Sequence, residues 1–561
     1  MLDSAHSTYL QTAVKLLRQL AAHDPAAAER IYQLHDEILV VLMLDLEPAQ
    51  ELLLAGYCPR LGGKNPREPV AMFRSLILML LLGKPSYNKW VAQLKGHPEL
   101  RILSGFFRPE TPSELLSVLE GEQRRELPFE LAAMLDCPGV GTFYDFASRL
   151  QNGPYQKPCE HLVRPSERFK GSRGRFRRDL PEEKQIRNEL QQQQLAEKNE
   201  RKVQQMVRVA MSRAEDKLPE DFLHRIEELL MLCAVVPSAR DGLLGDLSKL
   251  AVSGDGSGVA TQASGRGKRM CNCREQQVYD CDCSKTYSDP EATWGWDSYR
   301  KKNFFGHRLH LMQLIVDGVD LPLHLMIEAG HVADVVMGVT SLERLHKLLR
   351  QHLPEARLEF LLYDKGYDAE HFYRYINKLG GKALIPMVER GKTPVDENNI
   401  PRDKNGIPLC PGKIPMKRMG CNYQRGHTRY CCPVKYIGRE KRTELERCPL
   451  GVLCEPDSKM GPLVYLSFDE NPRLNTAIPR GSESFKELYK QRSSPERFYS
   501  TLASAGLKSR PYRRQHLYLL GALCHAIGVH ARAWVKKRFG SKKAKDAHQL
   551  LDWAESLLKL E

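Results

Sequence analysis

Leu358–Asp368 reads LEFLLYDKGYD: six mostly apolar residues, then Asp364 in a charged, glycine-containing turn. A short apolar run bounded in this way predicts a buried strand. It leaves Asp364 at the rim of a sheet, held by a rigid element and open to a ligand. Towards the C-terminus, AEHFYRYINKLGG (369–381) predicts a helix closed by glycine, and KALIPMV (382–388) another strand. Towards the N-terminus, VVMGVTSLERLHKLLRQHL (335–353) is an amphipathic helix. Before it, FFGHRLHLMQLIVDG (304–318) and LPLHLMIEAG (321–330) predict two strands joined as a hairpin at Asp317-Gly318. Earlier still, KLAVSGDGSG (249–258) predicts a short strand ending in Asp255. A three-strand meander followed by alternating helix and strand is a mixed-sheet α/β pattern.

Two carboxylates at the ends of neighbouring strands, Asp255 and Asp364, suit a hard divalent cation such as Mg2+, which prefers oxygen ligands and keeps part of its water. A third acid on a later helix, Glu496, would complete a two-metal site. Such sites hold ions about 3.5–4 Å apart, a spacing suited to in-line attack on a phosphodiester. Taken singly, each acid has a duller reading. An Asp before Gly-Ser-Gly is often a turn residue, and helices carry many surface glutamates.

At roughly 100–200 residues per domain, 561 residues suggest three or four domains. The apolar fraction of 42% rules out a wholly disordered chain. A net charge of +15 favours a polyanion partner, since each Lys or Arg near a phosphate releases counterions. The most apolar run, Leu76–Leu82, is far short of the roughly 20 residues that span a bilayer, so no membrane association is expected. Without a basic-then-apolar leader at its start, the chain is expected in a reducing cytoplasm, where its 15 cysteines serve as thiols or metal ligands.

The expected organisation has six parts: 1–155, a helical N-terminal domain for binding DNA ends; 156–245, a basic arm and a long charged helix; 246–392, the first part of the α/β core, with a Cys-rich loop at 271–283; 393–480, a Cys-rich basic insertion; 481–540, the core's C-terminal helices; and 541–561, a last helix. In the first part, PVAMFRSLILMLLLGKPSYNKWVAQL (69–94) gives two helices broken at Gly-Lys-Pro, and GVGTFYDFASRL (139–150) spaces Phe143, Phe146 and Leu150 along one face. That module either enters a DNA groove or serves only for packing. RPSERFKGSRGRFRR (164–178) reads as a phosphate-contacting arm or a solvated linker.

Residues 250–535 resemble the DDE transposases of bacterial insertion sequences, in the cut-and-paste branch with a Tyr-x2-Arg-x3-Glu signature. The resemblance rests on VSGDGSG for the first-Asp strand, YSDPEA (287–292), FGHRLHLMQLIVDGVDLPL, AGHVAD (329–334), LLYDKGYD for the second-Asp strand, and Tyr489, Arg492 and Glu496 at signature spacing. PREPVAMFRSLILMLLLG and TFYDFASRL resemble the family's N-terminal helical domain. The resemblance implies an RNase H-like core. In it Asp255, Asp364 and Glu496 bind two Mg2+ ions, or Mn2+ in their place, and catalyse DNA cleavage at element ends and strand transfer. It implies double-stranded DNA as partner, both terminal inverted repeats and target, a homodimer on that DNA, and a nucleoid-associated bacterial protein. Tyr489 and Arg492 would hold a phosphate beside the cut, a task suited to a planar guanidinium.

There are two departures. Where the signature continues with Lys, this chain has Ala503, and the next lysine is Lys508, the candidate replacement. Pro495 precedes Glu496, so a helix must begin or kink there; Ser494 would be its cap and Glu496 would fall in its first turn. The competing readings are a catalytically inactive DNA-binding relative, an RNase H-like metal-dependent nuclease without strand transfer, and a zinc-scaffolded regulator.

Two cysteine groups stand apart from this chemistry. Cys271, Cys273, Cys281 and Cys283 form two C-x-C pairs, four thiols within 13 residues, suited to tetrahedral structural zinc or else an exposed reduced loop. Cys410, Cys421, Cys431, Cys432, Cys448 and Cys454, with His427 nearby, lie in a segment too poor in periodic apolar residues to fold without a staple, for which zinc is a candidate; the spacing does not choose among them. Lys413–Arg447 is rich in Lys and Arg, as DNA contact would require. His307 and His310 fall on a strand, near the site or within the core.

Overall fold

Val252, Leu311, Leu314, Leu323, Leu325 and Leu361 are fully buried, and the strands that carry them form one mixed sheet. In the computed structural model the described residues are 5–57, 67–107, 135–152, 163–164, 181–279, 281, 283–298, 300–316, 319–388, 400–422, 424–425, 427–435, 448–450, 454, 458, 460–467 and 471–557. The central strand is β1 (Leu250–Ala260). On one side it runs antiparallel to a long strand, which is third in chain order after β2 (Thr293–Asp297): β3 (Lys302–Val316). Along its outer side β3 carries β2 on Lys302–Gly306 and then β4 (Val319–Ala329) on His307–Val316, both antiparallel. On the other side β1 pairs in parallel with β5 (Leu358–Leu362), and β5 in parallel with β6 (Lys382–Leu384).

This is the mixed α/β architecture expected from the sequence. The meander's β3–β4 hairpin is present, though its turn, Asp317-Gly318, lies outside the described residues. One boundary differs: β1 does not end at Asp255 but continues to Ala260, because every residue from Val252 to Ala260 finds a partner on β3. Three glycines weaken strand propensity locally, but the ladder outweighs it.

Twelve helices frame the argument: α1 (Ala5–His23), α2 (Pro69–Leu81), α3 (Tyr87–Gly96), α4 (Val140–Asn152), α5 (Pro181–Ser212), α6 (Phe222–Leu230), α7 (Asp334–His352), α8 (Glu370–Lys378), α9 (Glu483–Tyr489), α10 (Ser494–Ser504), α11 (Gln515–Phe539) and α12 (Ala547–Ser556). α7 buries Val335, Val339, Leu342, Leu345 and Leu349 against the sheet. α11 packs on β4 and turns its other side to α2, with His530 Nε2 2.8 Å from the Pro322 carbonyl oxygen. The N-terminal helices therefore share one apolar core with the sheet. Phe143, Phe146 and Leu150 are spent on that packing; Phe143 meets Tyr87 at 5.6 Å between ring centroids.

The long charged helix α5 is exposed over its first described turns, but near its end it docks on α7 and α8. Val203, Val207 and Ala210 are buried there, and Arg213 grips Glu343 through two 2.8 Å bonds. The basic arm, from 165 to 178, lies outside the described residues.

The Cys-rich segment, which shows little periodicity in sequence, includes a three-stranded antiparallel sheet: β7 (Lys417–Asn422), β8 (His427–Cys431) and β9 (Leu463–Ser467). Among the described residues its apolar cluster is small: Cys410, Met416, Tyr430 and Leu466, with Ile407, Ile414 and Val464 against them.

Candidate active site and cysteine clusters

Side chains alternate along β1, so Ser253, Asp255 and Ser257 share one face while Gly254, Gly256 and Gly258 share the other. The glycines are there for space. A Cβ on Gly254 would lie 2.1 Å from Tyr363 Cε1, and one on Gly256 2.0 Å from Asp334 Oδ1. The VSGDGSG pattern therefore lets Tyr363 and the start of α7 close onto one face of the strand while the other face carries polar groups.

On that polar face lies the turn from α9 to α10. Lys490–Ser493 is a short 3-10 segment, and α10 follows from Ser494 with Pro495 in its first turn. The cap position is Ser493, not Ser494, and its side chain makes no capping bond; the preceding 3-10 turn leads the chain directly into the helix. Glu496 is in the first turn, as expected. Ser253 Oγ donates to the Arg492 carbonyl (3.1 Å), and the Tyr499 hydroxyl reaches the carbonyls of Asp255 (2.8 Å) and Leu309 (3.0 Å). Two elements distant in sequence are thereby fixed to the central strand.

The result brings the three sequence-predicted acids around one guanidinium. Arg492 Nη2 lies 3.9 Å from Asp255 Oδ1 and 3.9 Å from Asp364 Oδ2, and Nη1 donates to Glu496 Oε1 at 2.7 Å. Asp364 sits just beyond β5, its Oδ1 accepting from the Gly366 amide (2.8 Å). Burial pushes the Asp255 carboxyl up to about 7, with Arg492 opposing and Asp334 and Asp364 adding to the rise. A crowded, negative site of this kind attracts cations. The donor set is oxygen from carboxylates, which fits a hard divalent ion.

Tyr489 lies at the same rim: its hydroxyl donates to the Tyr363 carbonyl (3.2 Å), and burial pushes its pKa up to about 12. Lys508, beyond α10, donates from Nζ to Ser257 Oγ at 2.8 Å, two residues along the strand face from Asp255. Burial, then Arg300, lower its pKa. The lysine thus stands beside the acids although its place in sequence differs from the signature's.

Two groups were not singled out from the sequence. Asp334 begins α7 and is held by Arg308 Nη1 at 3.0 and 2.8 Å. Burial raises its pKa, and Arg308 opposes this. The AGHVAD and GHRLH stretches that carry these two residues were the available signal. His307 and His310 are core residues: His307 Nε2 meets Asp289 Oδ2 at 2.8 Å and His310 Nε2 the Tyr367 hydroxyl at 2.9 Å, and all four residues are fully buried. Burial drives His310 down to about 3.

Of the cysteines, Cys271, Cys273, Cys281 and Cys283 converge. Their sulfurs all lie within 4.8 Å of one another, with Cys271–Cys281 and Cys273–Cys283 both at 3.5 Å. Tetrahedral zinc with bonds of about 2.3 Å sets its sulfurs about 3.8 Å apart, so the cluster could hold that ion. The Cys273 amide, then the Cys281 thiol, bring Cys271 down to about 7, towards the thiolate a metal needs. The loop is framed by the short antiparallel pair Lys268–Arg269 and Lys285–Thr286.

The six cysteines of the insertion separate. Cys421 lies on β7 with Arg418 Nη2 at 2.8 Å, and Cys431 is buried on β8. His427 stands against Tyr465, away from the cysteines' cavity. Cys410, Cys432, Cys448 and Cys454 line one small cavity.

No helix among the described residues is long and apolar enough to cross a membrane. No curated protein and no solved structure matches the chain. Residues 272–525 match the family model described as a transposase DDE domain, and this similarity, which takes in Asp364, Arg492 and Glu496 and begins after Asp255, supports a DDE-type transposase acting on DNA.

Proposed function

We propose that the chain is the transposase of a bacterial insertion sequence. It cleaves DNA at the element's terminal inverted repeats and joins the freed ends to target DNA. The observation that carries this reading is the convergence of Asp255, Asp364 and Glu496, from a central strand, a strand end and a helix start, on the single guanidinium of Arg492. The strand order supports an RNase H-like core: a central β1 with antiparallel neighbours on one side and parallel ones on the other.

Asp255, Asp364 and Glu496 would hold two Mg2+ ions, or Mn2+ in their place. Bound there, such ions activate water or a 3'-hydroxyl and stabilise the leaving oxygen. Arg492 has five donors and a rigid plane; released from the acids, it suits a phosphate beside the scissile bond. Tyr489 and Lys508 flank the same point and would hold the DNA backbone there. Lys508 supplies the cation that Ala503 lacks. The helical N-terminal part and the basic insertion are assigned to positioning DNA, with two chains acting on two ends in the nucleoid. The Cys271–Cys283 cluster is assigned to structural zinc.

The test is cleavage of a labelled duplex bearing the element's own end, with Mg2+. Asp364→Ala should bind the duplex as well as wild type and cut it at least about 100-fold more slowly, since a two-metal site lacking one ligand loses most of its rate. Equal cutting by both proteins rejects the site. Binding without cutting by wild type favours the inactive, DNA-binding reading.

A further inference from the structure

We propose a second zinc site, in the insertion, built from Cys410, Cys432, Cys448 and Cys454. It stands independently of the transposase reading, because it concerns how the insertion is held and not what the acids do.

Six cysteines in this region are chemically equivalent in sequence; the fold distinguishes them. Cys410 opens a tight turn, closed by its own amide to the Ile414 carbonyl (3.0 Å) and by the Lys413 amide to its carbonyl (2.8 Å), with Lys413 at φ 59°. A Cβ on Gly412 in that turn would be 3.7 Å from both Cys410 Sγ and Cys448 Sγ, so the two sulfurs face the same small space. Cys432 comes directly after the last residue of β8, and strand alternation turns it away from Cys431. Gly461, at φ 65°, crosses over it: a Cβ there would be 2.6 Å from Cys432 Cβ and 3.4 Å from its sulfur. Lys435 Nζ donates to the carbonyls of Cys454 (3.0 Å) and Ser458 (3.3 Å), tying the Cys454 strand of chain to the segment after Cys432.

The cavity these residues line has a volume of about 10 Å³; its four sulfurs are not gathered within 4.8 Å of one another as those of Cys271, Cys273, Cys281 and Cys283 are, so a bound ion would draw them together. That is room for about one water-sized particle. Among the described residues the lining is Cys410, Cys432, Cys448 and Cys454 with Gly412 and Lys435 and two apolar residues, with no carboxylate or imidazole. Four thiols without oxygen donors select a soft or borderline ion over Mg2+ or Ca2+, and four-coordinate thiolate is the usual structural zinc set. A site of four thiolates carries excess negative charge, and Lys435 is the cation beside it.

Sequence supports the same four. Cys410, Cys432 and Cys448 are each followed directly by Pro, and Cys448 and Cys454 are spaced C-x5-C; Cys421 and Cys431 are followed by Asn and Cys. Proline fixes the turn of the chain after a ligand at low entropic cost. Energetics gives the reason for the ion. Among the described residues the apolar cluster of this segment is small, and metal binding supplies folding free energy directly.

The experiment measures zinc in the full-length chain by mass spectrometry. Wild type should carry two ions per chain and the Cys271→Ser/Cys273→Ser variant one. In that variant Co2+ exchange should give a tetrathiolate spectrum. Adding Cys448→Ser should remove that last ion, while adding Cys421→Ser or Cys431→Ser should leave it. If Cys448→Ser prevents folding, the Co2+ spectrum of the folded parent decides the matter. A folded Cys271→Ser/Cys273→Ser protein with no zinc overturns the proposal. So does loss of zinc with Cys421→Ser but not Cys448→Ser, or recovery of the four cysteines as disulfides.

Discussion

Asp255 is the residue on which charge and burial conflict most. Its carboxyl stands at about 7 against an ordinary 3.8, raised first by burial. In the unfolded chain it is ionised above about 4, in the metal-free folded protein only above about 7. The folded state therefore binds this proton more tightly, and the acid's contribution to stability falls as pH rises between those values. Asp255→Asn removes the titration. In EDTA, urea unfolding should show the variant gaining on wild type from pH 5 to pH 8, by roughly 1–3 kcal/mol at the higher pH. A difference that is the same at both pH values rejects the burial argument. Asp255 and Asp364 were legible in sequence because each has a local signature, a glycine-flanked strand and an apolar run with an abrupt acidic end. Glu496 was legible only through its spacing from Tyr489 and Arg492, since a surface glutamate on a helix has no signature of its own. Asp334 and Arg308 were quoted within motifs without a role. Their pairing joins a strand to a helix start 26 residues on, which spacing cannot reveal.

At the scale of elements, the site depends on how α10 is fastened to β1 and β3. One hydroxyl, that of Tyr499, serves the carbonyls of both Asp255 and Leu309, and it is buried. Tyr499→Phe keeps the ring and deletes the link, leaving buried acceptors short of a donor. We expect a loss of about 1–2 kcal/mol in stability. We also expect a fall in cleavage rate with DNA affinity unchanged, as Glu496 loses its fixed distance from Asp255. Filter binding and cleavage on the same duplex would check this, and affinity falling in step with rate would reject it. The β3–β4 hairpin, α7, β5 and α8 could be read in sequence because each has a clear period or a clear apolar run. The strands of the insertion could not. β7 is exposed or half-exposed throughout and carries Arg, Gly and Cys where a strand usually shows Val or Ile; β8 alternates in burial, but over five residues whose buried members include Thr428 and Cys431, so no apolar alternation stands out. The end of β1 was misplaced for a related reason, since Gly256 and Gly258 look like a turn until Asp334 and Phe304 are seen lying against them.

For the whole molecule, the question is whether the N-terminal helices are an attached module or a layer of the core. Sequence divides the chain at 155, where composition changes. The structure runs one apolar core from Leu10 and Leu17, through Phe73 and Leu76, to α11 and the sheet. α11 is the hinge of that arrangement: Leu519, Leu523, Ile527 and Ala531 are all buried, and the helix has the sheet on one side and α2 and its neighbours on the other. His530 and Trp534 reach across to Ser238, at 2.7 and 2.8 Å, so the segment before β1 is tied in as well. A helix that is apolar nearly all round must be covered on every side. Removing residues 1–152 would uncover one side of α11 and leave a continuous apolar surface, of the kind that drives aggregation. The shortened chain, which still contains Asp255, Asp364 and Glu496, should therefore be insoluble or bind a hydrophobic dye strongly. The full chain should show one main cooperative transition spanning α2 and the sheet on heating. A soluble 153–561 fragment with the far-ultraviolet spectrum of a folded protein and no dye binding would show that the N-terminal helices are a separable module after all.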